Sequence, residues 1–215
     1  MRYDEAIFDL DGTLLDTIDD LKNSINHALS VCGYPPRTRA EVLAFVGNGV
    51  PRLVELAVPP GTPADRRQAV LDAMNAHYAA HCAQLTRPYP GVTDVLRTLR
   101  AAGVRVAVVS NKPDYGVQEL CARYFPGLLD SAVGMREGIR KKPYPDAVEA
   151  ALAAFGVPPE RAVYIGDSEV DVQTAKNAHT ALISVDWGFR THAQLVEAGA
   201  EHIVSDADAL LTLLR

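Results

Sequence analysis

The sequence predicts an α/β protein: a doubly wound, mostly parallel sheet with a small all-helical cap inserted after the first strand. Three observations carry this. Short, near-continuous apolar runs such as Val104–Val109 (VRVAVV) and Ala162–Ile165 (AVYI) read as strands buried on both faces, the mark of a parallel sheet. From residue 87 onward such runs alternate with helical patterns, as in strand–helix–strand units. Between Asp16 and Thr86 the helical spacing continues with no strand signal. The expected division is therefore a core of residues 1–15 and 87–215, and a helical cap of residues 16–86.

The elements follow in order. Ala6-Ile7-Phe8 is a short buried strand that stops at a carboxylate. Thr17 stands as an N-cap with Asp20 three residues on, close to a capping box, and Ile18, Leu21, Ile25, Ala28 and Leu29 recur at helical spacing. Gly33 and Pro35-Pro36 end that helix. A second helix covers Arg39 to Val46 and stops at Gly47-Asn48-Gly49; a third begins near Pro51 and breaks at Pro59-Pro60-Gly61. Thr62-Pro63 opens a longer helix with Val70, Leu71, Met74 and Tyr78 on one face. RPYPG, Arg87 to Gly91, is the return linker. Helices are then expected over Val92–Ala101, Pro113–Tyr124 and Pro145–Phe155, from Val170, and over His192–Ala198 and Ala207–Leu214. Besides the two strong strands, weaker ones fall at Ser131–Val133, Ala181–Val185 and Ile203–Val204.

Composition bounds the function. A chain of 215 residues is long enough for one sizeable core plus a small second domain. With 48% hydrophobic and 22% charged residues it has a globular composition. Its net charge of −6 argues against nucleic acid, which needs a basic surface. No apolar run reaches the length of a membrane span, and the N-terminus has no signal-peptide pattern. Cys32, Cys82 and Cys121 are odd in number and widely spaced, which suits reduced thiols in the cytoplasm. A monomer or homodimer is expected.

Ligands of parallel sheets bind beyond the carboxyl ends of the strands, and polar residues gather there. The first strand delivers Asp9, then Asp11, Gly12 and Thr13. In extended chain, residues two apart face the same side, so the two carboxylates converge and call for a cation or a shared proton. VRVAVV delivers Ser110, Asn111 and Lys112; AVYI delivers Gly166-Asp167-Ser168, with Asp171 following. Lys141-Lys142-Pro143 lies on a loop that can reach this edge. Such carboxylates favour Mg²⁺, and lysine with a hydroxyl beside a metal suits a phosphate group. One carboxylate in line with phosphorus is a nucleophile; a second is a general acid and base.

The four segments DLDGT, SNK, KKP and GDSEVD, in that order, resemble the motifs of the haloacid dehalogenase superfamily, over nearly the whole chain. The helical insert resembles that family's cap. The resemblance implies a Rossmann-like core, Asp9 as nucleophile and Asp11 as general acid and base. It implies Ser110 and Lys142 as phosphate binders, with Gly12, Thr13 and Asn111 around them. It further implies Mg²⁺ held by Asp9, Asp167 and the Asp11 backbone carbonyl, with Asp171 as a supporting carboxylate. The second acidic position favours phosphate chemistry over carbon–halogen cleavage, and SNKP with VDWGFRTHAQLVEAGAEHIV is similar to the phosphoglycolate phosphatases. The expected partner is a small phosphate ester. A pyrophosphatase, a sugar-phosphate phosphatase and a phosphomutase are alternatives of the same superfamily, and a non-enzymatic binding module is disfavoured by the intact carboxylates and lysine.

Outside these motifs, Asn48 and Arg52, at and beside the Gly47–Gly49 turn, are candidates to contact the leaving group. His77 and His81 sit four apart on a helix, the spacing of a metal pair, but no Glu follows His77. Trp187 and Gly188 follow a strand end and are expected to shape the rim. Lys112 is read either as lining the entrance or as a surface lysine.

Overall fold

The structure is a computed structural model that describes all residues, Met1–Arg215. It divides into two units, Met1–Leu15 with Pro88–Arg215, and Asp16–Arg87. A two-stranded sheet pairs β2 (Leu15–Asp16) with β3 (Arg87–Pro88), the two points at which the chain passes from one unit to the other. Two-residue strands leave no periodic signal, so the sequence did not predict them.

The larger unit is built on six strands in the order β5-β4-β1-β6-β7-β8. They are β1 (Glu5–Phe8), β4 (Arg105–Pro113), β5 (Ser131–Met135), β6 (Ala162–Gly166), β7 (Ala181–Val185) and β8 (Ile203–Val204). Every pairing is parallel, with Phe8 beside Val108 on one side and Ile165 on the other. The helices are α5 (Val92–Ala101), α6 (Asp114–Tyr124), α7 (Asp146–Phe155), α8 (Glu169–Asn177), α9 (His192–Glu197) and α10 (Ala207–Leu214). This is the doubly wound α/β fold expected. One core cluster packs Ile7, Ala107, Val109 and Tyr164 against Val148, Leu152 and Ala175 of α7 and α8. Central strands covered on both faces explain why β1, β4 and β6 read as unbroken apolar runs. β4 runs four residues beyond Val109, with its register against β5 shifting between Val109 and Pro113. Ser110, Asn111 and Lys112 are therefore strand residues, not loop residues.

At the opposite, amino end of β1, Glu5 is fully buried and neither carboxylate oxygen has a hydrogen-bond partner. Burial pushes its carboxyl up to about 7, with Asp130 adding to the rise and Arg105 opposing it. The folded chain thus holds a proton that the unfolded chain releases near 4.5. The sign follows: stability from this group is complete below 4.5, falls as pH rises towards 7, and levels off above. Glu5→Gln, which cannot ionise, is expected to gain on the order of 1–3 kcal/mol over wild type between pH 4.5 and 8. Denaturant melts at both pH values measure this, and a pH-independent difference contradicts it.

The smaller unit is all helical: α1 (Ile18–Val31), α2 (Arg39–Phe45), α3 (Val50–Ala57) and α4 (Ala64–His81). α1 packs chiefly on α4, burying Ile25, Ala28 and Leu29 with Val70, Met74 and Tyr78. Leu71, expected on the same face, is only half-buried. The expected capping of α1 is also corrected. Thr17 occupies the N-cap position, but its side chain makes no cap bond. Asp20 instead reaches across the unit, accepting from the backbone N–H of Leu85 at 2.9 Å and of Thr86 at 2.8 Å, and from the Thr86 hydroxyl at 2.8 Å. A buried carboxylate goes where several donors converge, and one local N–H cannot compete. No helix is long and apolar enough to cross a membrane.

Candidate active site

The carboxyl ends of β1, β4 and β6 bring polar side chains together. Asp9, directly after β1, is buried, and its Oδ1 accepts from its neighbour's backbone N–H (Leu10, 2.7 Å) and pairs with the Lys142 ammonium at 2.9 Å. Lys142 is 3% exposed. Its Nζ also donates to Asp171 Oδ1 at 2.8 Å and to the Tyr164 hydroxyl at 3.0 Å. Lys141, the other candidate, is exposed. Asn111 fixes the Lys142 backbone from both sides: its Oδ1 accepts from Lys142 N (2.8 Å) and its Nδ2 donates to Lys142 O (3.1 Å). Ser110 Oγ accepts from Lys112 N at 3.2 Å. Lys142–Pro143 is a cis peptide.

Asp167 follows β6 and is 1% exposed. Thr13 Oγ1 donates to its Oδ1 at 3.0 Å, and the Phe189 N–H to its Oδ2 at 2.7 Å. The turn Asp11–Thr13 needs Gly12, which lies at φ +91° where a Cβ would strike the Asp167 carboxylate. Gly188 is equally constrained, since a Cβ there would meet Gly12 O and Asp167. Trp187 Nε1 donates to Thr13 O at 3.1 Å, so the β7–α9 segment clasps the β1 turn.

Asp171 is fully buried, and both its oxygens carry donors: Lys142 and Tyr164 (3.1 Å) on Oδ1; Asp167 N (3.2 Å), Ser168 N (3.1 Å) and Ser168 Oγ (2.6 Å) on Oδ2. Five donors saturate a carboxylate. Its place is that of a positioning group, tying Lys142 to the Asp167 loop.

These contacts set the electrostatics. Burial raises the Asp9 carboxyl; Lys142 opposes this, Asp171 and Asp11 add to it, and it reaches about 7. Burial, with Asp171 and Asp9 nearby, also pushes Asp167 well up. Burial alone would lower the Lys142 ammonium, but the Asp171 and Asp9 charges outweigh it and raise it. Burial keeps Tyr164 protonated, able to accept from Lys142 and donate to Asp171. One oxygen each of Asp9, Asp167 and Asp171 lies within 4.8 Å of the others. Asp9 and Asp167, buried like charges with hard oxygen donors, fit a divalent cation; Asp171, its oxygens already saturated, stands beside them, and the two glycines keep the space beside Asp167 clear of side chains.

Asp11 lies at the open side, its side chain 17% exposed, and Lys112 Nζ bridges both its oxygens at 2.8 and 3.0 Å. Lys112 is 4% exposed, which excludes the surface reading. Its signal in the sequence was the strand end itself, which β4 extends through SNK. Tyr164 was missed because a tyrosine inside an apolar run reads as core; its hydroxyl is the polar tip of a buried ring. Asn48 and Arg52 belong to the helical unit, where the Arg52 guanidinium pairs with Glu55 at 2.6 Å. In the same unit His27, His77 and His81 stack, with ring centres 4.2 and 4.0 Å apart. The His77 and His81 planes differ by 11°, which sets the rings face to face instead of aiming their nitrogens at one point.

The sheet edge thus joins two aspartates after its first strand, a buried lysine and the acidic loop after β6. The family model for haloacid dehalogenase-like hydrolases matches residues 6–185, and the chain belongs to that family. A phosphoglycolate phosphatase of Cereibacter sphaeroides is 38% identical over 216 residues, spanning 98% of this chain and 97% of its own. A candidate phosphoglycolate phosphatase from Lactobacillus delbrueckii subsp. bulgaricus superposes with a TM-score of 0.95 at 38% identity, covering 100% and 99% of the two chains. CbbY of Rhodobacter sphaeroides, solved with xylulose-(1,5)bisphosphate, gives 0.75 at 26% identity over 94% and 93%.

Proposed function

We propose that the chain is a Mg²⁺-dependent phosphomonoester hydrolase that works through an aspartyl-phosphate on Asp9, with phosphoglycolate or a similarly small phosphate ester as substrate. Its family and its curated relatives make it a phosphatase. The observation that carries the mechanism is the division of labour at the sheet edge. Lys142 is held against Asp9, and Lys112 against Asp11. Free thiols at Cys32, Cys82 and Cys121 fit the cytoplasm.

Both of these donors to Asp9 meet Oδ1, and the attack on phosphorus is assigned to Oδ2. The P–O bond to the leaving alkoxide breaks as the Asp9–phosphorus bond forms, and Asp11 gives the alkoxide its proton. Water then attacks the phosphoryl group, Asp11 takes the water's proton, and phosphate leaves with Asp9 regenerated. Lys142 and Ser110 bind the phosphoryl oxygens. Asp9, Asp167 and the Asp11 backbone carbonyl would hold Mg²⁺, which when bound neutralises charge on the transferring phosphoryl group. Asp171 supports this set through Lys142 and the Asp167 loop. The helical unit is the proposed cap, its closure excluding water, and the residues proposed to contact the leaving group there are Asn48 and Arg52.

A panel of small phosphate esters tests the reading, with phosphoglycolate expected among the best substrates. Exhaustive chelation should abolish turnover, Mg²⁺ should restore it, and Ca²⁺ should substitute poorly because it accepts more ligands at longer bonds. Full turnover after chelation contradicts the metal assignment; isomer interconversion without phosphate release would make the chain a mutase.

A further inference from the structure

The site holds two buried lysines, and the reaction proposed above uses one. Lys142 stands on the phosphoryl side with Asp9, Asp171 and Tyr164. Lys112 stands on the other side, bridging both oxygens of Asp11. Its stem lies along Gly116 of α6, where an added Cβ would come 3.5 Å from Cδ and Cε. The lysine is thus enclosed almost to its tip, and the tip ends at the most exposed carboxylate of the set, 17% for Asp11 against 11% for Asp9.

We propose that Lys112 is the residue that reads negative charge on the leaving group, and that it sets the preference of this site among compact phosphate esters. The inference rests on the phosphatase reading and deepens it. Asp11, as the group that protonates the leaving oxygen, must come within about 3 Å of it. Lys112 Nζ lies 2.8 Å from Asp11, so the ammonium is no more than about 6 Å from the leaving oxygen. A carboxylate one carbon beyond that oxygen, turned to the ammonium side, comes within hydrogen-bond reach of it. Burial makes the contact selective: a desolvated cation beside an uncharged leaving group gains nothing from it, whereas an anion gains a charge-assisted bond.

The test compares kcat/KM for phosphoglycolate and for ethyl phosphate, a compact ester without the carboxylate, in wild type, Lys112→Met and Lys112→Arg. Methionine keeps the apolar stem and removes the charge; Lys112→Gln is a second neutral variant should the first fail to fold. Wild type is expected to prefer phosphoglycolate. The neutral variants should lose about ten- to a hundredfold in kcat/KM for phosphoglycolate relative to ethyl phosphate, chiefly through KM, and arginine should retain the preference. Equal losses on both esters would mean that Lys112 only holds Asp11, and would overturn the proposal. So would a wild type that hydrolyses both esters equally, which leaves the phosphatase reading standing. A wild type that releases phosphate from no ester overturns both.

Discussion

Asp9→Asn is expected to lower turnover on the order of 10⁴–10⁶-fold, the scale seen when a nucleophile is removed from a unit that acts together, and to leave the fold intact. The amide has the shape of the carboxylate but little nucleophilicity and poor affinity for a hard cation. The fold should tolerate it because Asp9 is costly to ionise where it lies: burial and the neighbouring carboxylates push it up to about 7. A neutral isostere removes that cost, and Lys142 keeps its bond to Asp171 at 2.8 Å. Thermal melts near neutral pH should therefore show the variant no less stable than wild type. Substantial turnover in clean protein would remove Asp9 from its role.

Lys142→Met should damage both activity and stability, and Lys141→Met neither. The two lysines are neighbours in sequence and differ in burial. Lys142 is 3% exposed and pairs with two carboxylates, so its loss leaves Asp9 and Asp171 buried without a counter-charge. Removing one partner of a buried pair costs about 3–5 kcal/mol, and the phosphoryl group loses its cation. Lys141 is exposed, and surface changes stay within about 0.5 kcal/mol. Denaturant melts and phosphatase rates on both variants decide. A Lys142→Met protein as stable as wild type contradicts the buried network, and lost turnover in Lys141→Met moves the phosphate contact to that residue.

The sequence made the sheet legible because central parallel strands are apolar on both faces and end abruptly at polar residues. Phe8 to Asp9 and Ile165 to Asp167 mark that change directly. Contacts set by tertiary placement were not legible. Whether Lys112 is buried depends on β4 continuing through Ser110–Lys112 and on Gly116 leaving room for its stem; neither leaves a periodic trace. Asp20 resembled a capping residue because its spacing from Thr17 is local, yet its donors lie on Leu85 and Thr86 at the far end of the same unit. The clasp of Trp187 and Phe189 on the β1 turn joins segments that only the folded sheet makes neighbours.

The central claim is that phosphate passes through Asp9. The measurement is rapid acid quenching during turnover of phosphoglycolate, followed by mass spectrometry of the amino-terminal peptide. The account predicts that wild type carries the mass of one added phosphoryl group on Asp9 and that Asp9→Asn carries none. Phosphate release by wild type with no phosphoryl group ever found on Asp9, or with the group on another residue, contradicts it.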